Sequence, residues 1–396
     1  MADVFWSGNQ VARPVQYLVT VTASVVSGTL TATINSKTET YTCLTTDSAT
    51  EAQGAIQAFS ASPIPEFRLV TWSVSGAVMS AVGPVDGRPV TITWGSAGGT
   101  TTSGGGAPTT ANTSPNNYAD TANWVGGVLP ANGDRAVFQG NLASALYGLT
   151  ANTANTVTLL IEASYTGSIG LAAVNPLGFP EYLPTRLALA GTALTVNANG
   201  QSVYRVLSTA GSAVTVVFRG ETSALTFDLT GLPASSVLRQ SGGGIIVSPD
   251  IGETSALGTI TSTGDFNFRA NVGLTITTGS FYGGNAVLAG PYTTLNIDNG
   301  AAVVTTAASA GTTTNVLSGS LSWNSTGAMG TVLIGATGQA DLSPAPSTVS
   351  ITAQTLREGA TWSDPNKAAT GYNRTYVGDM ANCTVNDGQN RVYAVT

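Results

Sequence analysis

The carboxylates Glu221 and Asp228, Asp250 and Glu253, and Asp265 are the side chains of this chain whose type and spacing could do chemistry. Two carboxylic groups about 5–9 Å apart suffice for glycoside hydrolysis, one as acid and the other as base or nucleophile. Other routes are closed. The 396 residues contain no histidine, only the two lysines Lys37 and Lys367, and 9 % charged residues, where an average soluble domain has about one-quarter. Without an imidazole there is no His-dependent triad and no His-ligated metal centre. The acidic residues form no compact motif and their polar neighbours show no enrichment. They read as solvated or turn-capping groups, so no catalytic residue is assigned and a non-enzymatic chain is expected.

The remaining motifs are equally sparse. Asp298-Asn299-Gly300 and Asn386-Asp387-Gly388 lack the alternating oxygen ligands and distal Glu of a calcium loop, so no metal site is assigned. Gly104-Gly105-Gly106 and Gly242-Gly243-Gly244 are not followed by Lys-Ser/Thr or by a helical pattern, which removes a phosphate loop and with it any cofactor. The net charge of −7 and arginines scattered singly from Arg13 to Arg391 leave no basic cluster for nucleic acid. No apolar run approaches membrane-spanning length, and the N-terminus has neither a basic region nor an apolar stretch of signal length. A product that is made in a cytoplasm and has no membrane partner is expected. Cys43 and Cys383 fall in segments assigned to different domains and read as isolated thiols.

The elements around these residues are mostly strands. Tyr17, Val19 and Val21 alternate with Thr20 and Thr22; Thr29–Ile34 and Thr38–Leu44 continue as two more strands, read as a meander. Thr46-Asp47 can cap a helix carrying Glu51, Ala52, Ala55, Ile56 and Phe59, ending before Pro63. Strand signals return at 67–74, 77–82 and 89–94, giving a small α+β domain over 15–95, preceded by an N-terminal arm, 1–14. The Gly/Ser/Thr-rich stretch 96–117 reads as a flexible linker.

Tyr17-Leu18-Val19-Thr20-Val21-Thr22, Thr31-Ala32-Thr33-Ile34-Asn35, Thr40-Tyr41-Thr42, the helix opening Asp47-Ser48-Ala49-Thr50-Glu51, Pro65-Glu66-Phe67 and Gly87-Arg88-Pro89-Val90-Thr91-Ile92-Thr93 together resemble a module that recurs in structural proteins of tailed bacteriophages. The resemblance implies a virion component and supplies no catalytic residue. Asn123-Trp124-Val125-Gly126-Gly127-Val128-Leu129-Pro130, followed by Gly133-Asp134-Arg135-Ala136-Val137-Phe138, is similar to the opening segment of parallel β-solenoid proteins, in which the Trp covers the end of a stack of strands.

From 118 to 355 short apolar-x-apolar units recur, such as Leu187-Ala188-Leu189, Leu274-Thr275-Ile276 and Leu321-Ser322-Trp323, with Gly, Asn or Ser between them. They fit the faces of a three-sided coil without a fixed period. The body is read as a right-handed parallel β-helix; a β-sandwich or jelly roll is the alternative. The charged and aromatic segment 356–396 reads as a C-terminal cap or interaction segment.

Taken together, the expectation is a mainly β structural protein of a phage virion, a capsid decoration protein or head fibre, whose partners are the major capsid protein or other virion proteins and further copies of itself in a homotrimer. A tail fibre or tailspike that binds or cleaves host surface polysaccharide is the alternative, and a bacterial surface adhesin the third. Phe5-Trp6, two large rings in a polar segment, are the candidate virion-attachment residues; folding back onto the 15–95 domain is the competing reading.

Overall fold

The computed structural model describes residues 2–140, 142–197, 202–220, 225–242, 244–247, 255–268, 274–305, 309–346, 348–370 and 373–387. Its first strand, β1 (Asp3–Phe5), belongs to a long parallel stack formed by the second half of the chain. The N-terminal domain follows: β2 (Gln16–Ala23), β3 (Thr29–Ile34), β4 (Lys37–Thr42), α1 (Ser48–Ser60), β5 (Thr71–Ser75), β6 (Val78–Val82), β7 (Ile92–Ala97) and β8 (Thr101–Gly104). Strict alternation along β2 and β3 turns Tyr17, Val19, Val21, Leu30, Ala32 and Ile34 inward. Helix α1 starts at Asp47, whose side chain accepts the Ala49 N–H at 3.1 Å, and sends Ala52, Ala55, Ile56 and Phe59 into the same core.

The expected meander does not form. β3 pairs with β4 and β7, whereas β2 pairs with β6 and β8, giving antiparallel sheets of order β4-β3-β7 and β5-β6-β2-β8. After β2 the Val25 N–H donates to Thr100 Oγ1 at 3.2 Å, and the chain crosses to the other sheet.

The stretch read as a flexible linker is docked on the domain. β8 lies inside it, Arg13 and Thr113 exchange backbone hydrogen bonds of 2.8 and 3.0 Å, and Thr110 N–H is within 3.3 Å of the Gln16 carbonyl. Small residues allow this close approach: a Cβ on Gly105 would stand 2.6 Å from the Trp94 ring. The junction with the second half is sealed by Arg88 and Glu181, 2.6 Å apart with side chains 9 % and 1 % exposed. Arg88 also lies 5.5 Å over the Tyr182 ring, and Tyr182 Oη donates to the Pro89 carbonyl at 2.7 Å. Removing one member of a buried pair costs about 3–5 kcal/mol, because the other charge is left unpaired. Arg88→Ala should therefore open the junction and speed proteolysis within 106–117. Equal cleavage of variant and wild type would show that the pair does not hold the two halves together.

The second half is a parallel β-solenoid. β1, β9 (Arg135–Phe138) and β10 (Thr158–Ile161) begin one sheet, which continues through Ala193–Val196 to Val349–Arg357 and beyond. A second parallel sheet runs from Leu187–Leu189 to Thr384–Asn386. Successive turns advance 22 residues from Leu194 to Val216, Leu238 and Ile260, then 19 to Gly279 and 16 to Leu295, which is why the sequence repeat has no fixed period. The coil is built from two hydrogen-bonded sheets. In the turns from Ser255 to Val316 the longer strands of the first sheet turn a corner and so contribute two faces: the ladders omit Gly258, Thr277, Thr293 and Thr312 in one column.

Among the described residues after 356, two strands continue the coil. Asn373–Val377 pairs with Val349–Arg357, and Thr384–Asn386 pairs with Thr361–Ser363. The local charge is used internally: Asp364 accepts the Ala368 and Ala369 N–H groups at 2.7 and 2.9 Å, and Arg374 reaches Asp387 at 3.3 Å and covers the Trp362 ring at 5.9 Å. Burial pushes the Asp364 carboxyl above its usual range.

Candidate functional site

Of the sequence-derived carboxylates, Asp228 and Asp265 lie among the described residues, and these two do not come together. Glu221, Asp250 and Glu253 lie outside the described residues. Asp228 is 1 % exposed and sits between Arg186 at 3.0 Å and Arg205 at 3.8 Å. Asp265 is exposed and accepts the Asn285 N–H at 2.7 Å, as a turn cap does. In register, Leu225 aligns with Ile245 and Ile245 with Phe266, so Asp228 and Asp265 lie two strands and four residue columns apart. At ~3.3 Å per residue and ~4.8 Å per strand this is on the order of 16 Å, well beyond the reach of a glycosidase pair.

The turn Asp298-Asn299-Gly300 staples successive coils. Asn299 takes a left-handed φ of 51°, its side chain donates to the Tyr282 carbonyl at 3.1 Å, and its N–H reaches Ser318 Oγ at 2.7 Å. Ser318 also donates to Asp298, and that bond holds the Asp298 carboxyl below its usual range. Asp387 is turned toward Arg374, and Gly388 lies outside the described residues. Among the described residues no group of three metal-ligating side chains occurs. Cys43 and Cys383 are both free thiols.

Phe5 and Trp6 are not on a free arm. β1 pairs with β9, and Trp6, 1 % exposed, packs against Tyr118, Trp124 and Phe138 with ring centroids 6.4, 5.2 and 5.6 Å away. Its Nε1 donates to the Ala143 carbonyl at 2.8 Å. The ring is therefore closed to a partner unless the end of the solenoid opens. Phe5 is half-buried. Trp124 is buried and packs against Trp6 and Phe138, beside the first strands of the stack.

The sequence reading missed one concave surface. Ser320–Ser322, Gln339–Asp341 and Thr361–Ser363 are adjacent parallel strands of the second sheet. In each triplet the central residue is buried, and the flanking residues line a groove of about 410 Å³. The lining combines hydroxyls, one amide and one carboxylate with the apolar residues Val303, Leu321 and Ala340. Burial acts against ionisation of Asp341, but hydrogen bonds from Ser343 and Ser363 outweigh it and hold the carboxyl below its usual range. Such a surface can hydrogen-bond a polyhydroxylated ligand. The period-2 polar flanks of these triplets were visible in the sequence; their side-by-side stacking was not.

Fold and site define the chain as a parallel β-solenoid protein joined to a small α+β domain. It matches no family model, no curated protein and no solved structure. No helix among the described residues is long and apolar enough to cross a membrane.

Proposed function

We propose that this chain is a non-enzymatic structural component of a tailed-bacteriophage virion, acting as a capsid decoration protein or head fibre that assembles with the major capsid protein. The observation that carries this reading is the fixed join between the α+β domain and the solenoid. The buried Arg88–Glu181 pair at 2.6 Å makes the domain a rigid base for a rod, which suits a projection from a particle surface. The module resemblance in 15–95 supports the same reading. Immunogold labelling of purified particles with antibodies against the chain should decorate heads. Particles without label would remove the proposal.

A second reading, a tail fibre or tailspike that binds host surface polysaccharide, is favoured by the groove at Ser320, Ser322, Gln339, Asp341, Thr361 and Ser363. It predicts retention of host polysaccharide by the purified protein, at least tenfold weakened by Gln339→Ala with Asp341→Ala. Retention unaffected by both substitutions would place binding elsewhere.

A further inference from the structure

Sheet edges are docking templates unless a protein blocks them, and the edges of the N-terminal domain differ in this respect. β4 carries Lys37 and Glu39, and Glu39 accepts a hydrogen bond from Ser62 Oγ at 2.7 Å beside the end of α1. β8 has a register break against β2 between Val21 and Ala23, and Gly104 at its end takes a φ of 81°. β7 is joined to β8 by a tight turn, with Ser96 and Thr102 hydroxyls 3.4 Å apart. β5, Thr71-Trp72-Ser73-Val74-Ser75, has none of these devices. It pairs with β6 in unbroken register over all five residues and carries no charge, proline or glycine. At the outer end of its sheet, its inward-facing residues Trp72 and Val74 pack on the core but remain only half-buried.

We propose that β5 is the self-association edge of this protein and pairs antiparallel with β5 of a second copy about a two-fold axis at Ser73. The occupant follows from the strand's own sequence. Centred on Ser73, Trp72 faces Val74 of the other copy and Val74 faces its Trp72, giving two aromatic–β-branched pairs on the helix side of the sheet. On the other side Thr71 faces Ser75, Ser73 faces Ser73, and Ser75 faces Thr71, all hydroxyl pairs with no charge conflict. The same surface on both copies is what a closed two-fold interface requires. It finishes the burial of Trp72 and Val74 and extends the four-stranded sheet across the axis to eight strands. This sets the assembly order at two, where the phage resemblance alone suggested three.

Sedimentation of the full chain at micromolar concentration should give the mass of two copies. T71K/S73K/S75K, three exposed positions that would place lysines opposite lysines, should weaken association at least tenfold without lowering the melting temperature. Mixing it with T71E/S73E/S75E should restore a species of two chains. A second variant avoids any effect of added charge. In a C383S background, S73C should cross-link two chains under mild oxidation, because opposed Cα atoms about 4.5–5.5 Å apart lie within disulfide reach. A wild-type monomer or trimer, an unaffected lysine variant, a mixture that does not reassociate, or the absence of the cross-link would each overturn the proposal.

Discussion

Deleting residues 1–14 should destabilise the solenoid, and Trp6→Ala alone should account for most of the loss. Replacing a fully buried large aromatic by alanine costs about 3–5 kcal/mol, the sum of lost transfer energy and the cavity left behind. Trp6 meets that description, enclosed by Tyr118, Trp124 and Phe138 with its indole N–H satisfied by Ala143. The deletion removes more: Trp6 N–H donates to the Val137 carbonyl at 2.9 Å, Ser7 N–H to the Asn123 carbonyl at 2.7 Å, and Val125 N–H to the Phe5 carbonyl at 2.9 Å. The Asp3–Arg135 pair at 2.7 Å is more than one-third exposed on both sides and adds at most about 1 kcal/mol. Amide exchange in 135–138 and 158–161 should accelerate in both variants, with a lower denaturation midpoint. An unchanged midpoint after deletion would mean that β1 is dispensable. Phe5→Ala separates structure from attachment, since the half-buried ring can be removed with less damage to the stack. Loss of particle incorporation in that variant, with normal stability, would assign attachment to Phe5.

This reverses the expectation that the first fourteen residues are a removable arm, and the reason is topological. Asp3 aligns with Arg135, so the chain passes through an entire domain between the first strand of the rod and the second. No local pattern reports such a contact. The docked connector was hidden differently: the small residues that make a linker flexible also let a strand lie flat beside Trp94. Local signals were legible where the physics is local. Asp47 caps α1, alternation defines β2 and β3, and Trp124 with the turn at Asn132-Gly133-Asp134 marks the start of the coil. Apolar-x-apolar units identified the solenoid because the first and third side chains of each short strand face in together, as in Leu194-Thr195-Val196. The pairing of β2 with β6 and β8, and the groove formed where three polar-flanked triplets stack, depend on contacts between distant segments. The same holds for the carboxylates. Asp228 reads in the sequence as one more solvated or turn-capping carboxylate, but the fold buries it and places two arginines on it.

Glu51 should be a sensitive position of the N-terminal domain. It lies in the first turn of α1, where the helix dipole favours a negative charge, and it is 0 % exposed. Its carboxylate accepts Tyr41 Oη at 2.9 Å, Leu44 N–H at 3.0 Å and Thr45 N–H at 2.6 Å, tying the helix to β4 and to the loop between them. Burial alone would raise its pKa, but bonds from Thr45, Leu44 and Tyr41 outweigh burial and hold it below the usual 4.5. Across the same contact, burial and then the bond to Glu51 push the Tyr41 hydroxyl up to about 12. Glu51→Ala removes three hydrogen bonds, and since Leu44 and Thr45 are exposed and open to water, a loss on the order of 2–4 kcal/mol is expected at ~1 kcal/mol per bond. The pH dependence follows from the direction of the shift. With the folded value below the unfolded one, the stabilisation is fully present above the unfolded value of about 4.5 and is lost as pH falls through the lower folded value. Glu51→Gln keeps the shape but carries no titrating group, so it should be less stable than wild type at neutral pH and lose less stability on acidification. Denaturant midpoints taken between about pH 3 and 7 measure both. Parallel acid profiles for wild type and Glu51→Gln would show that this carboxylate does not hold α1 against β4.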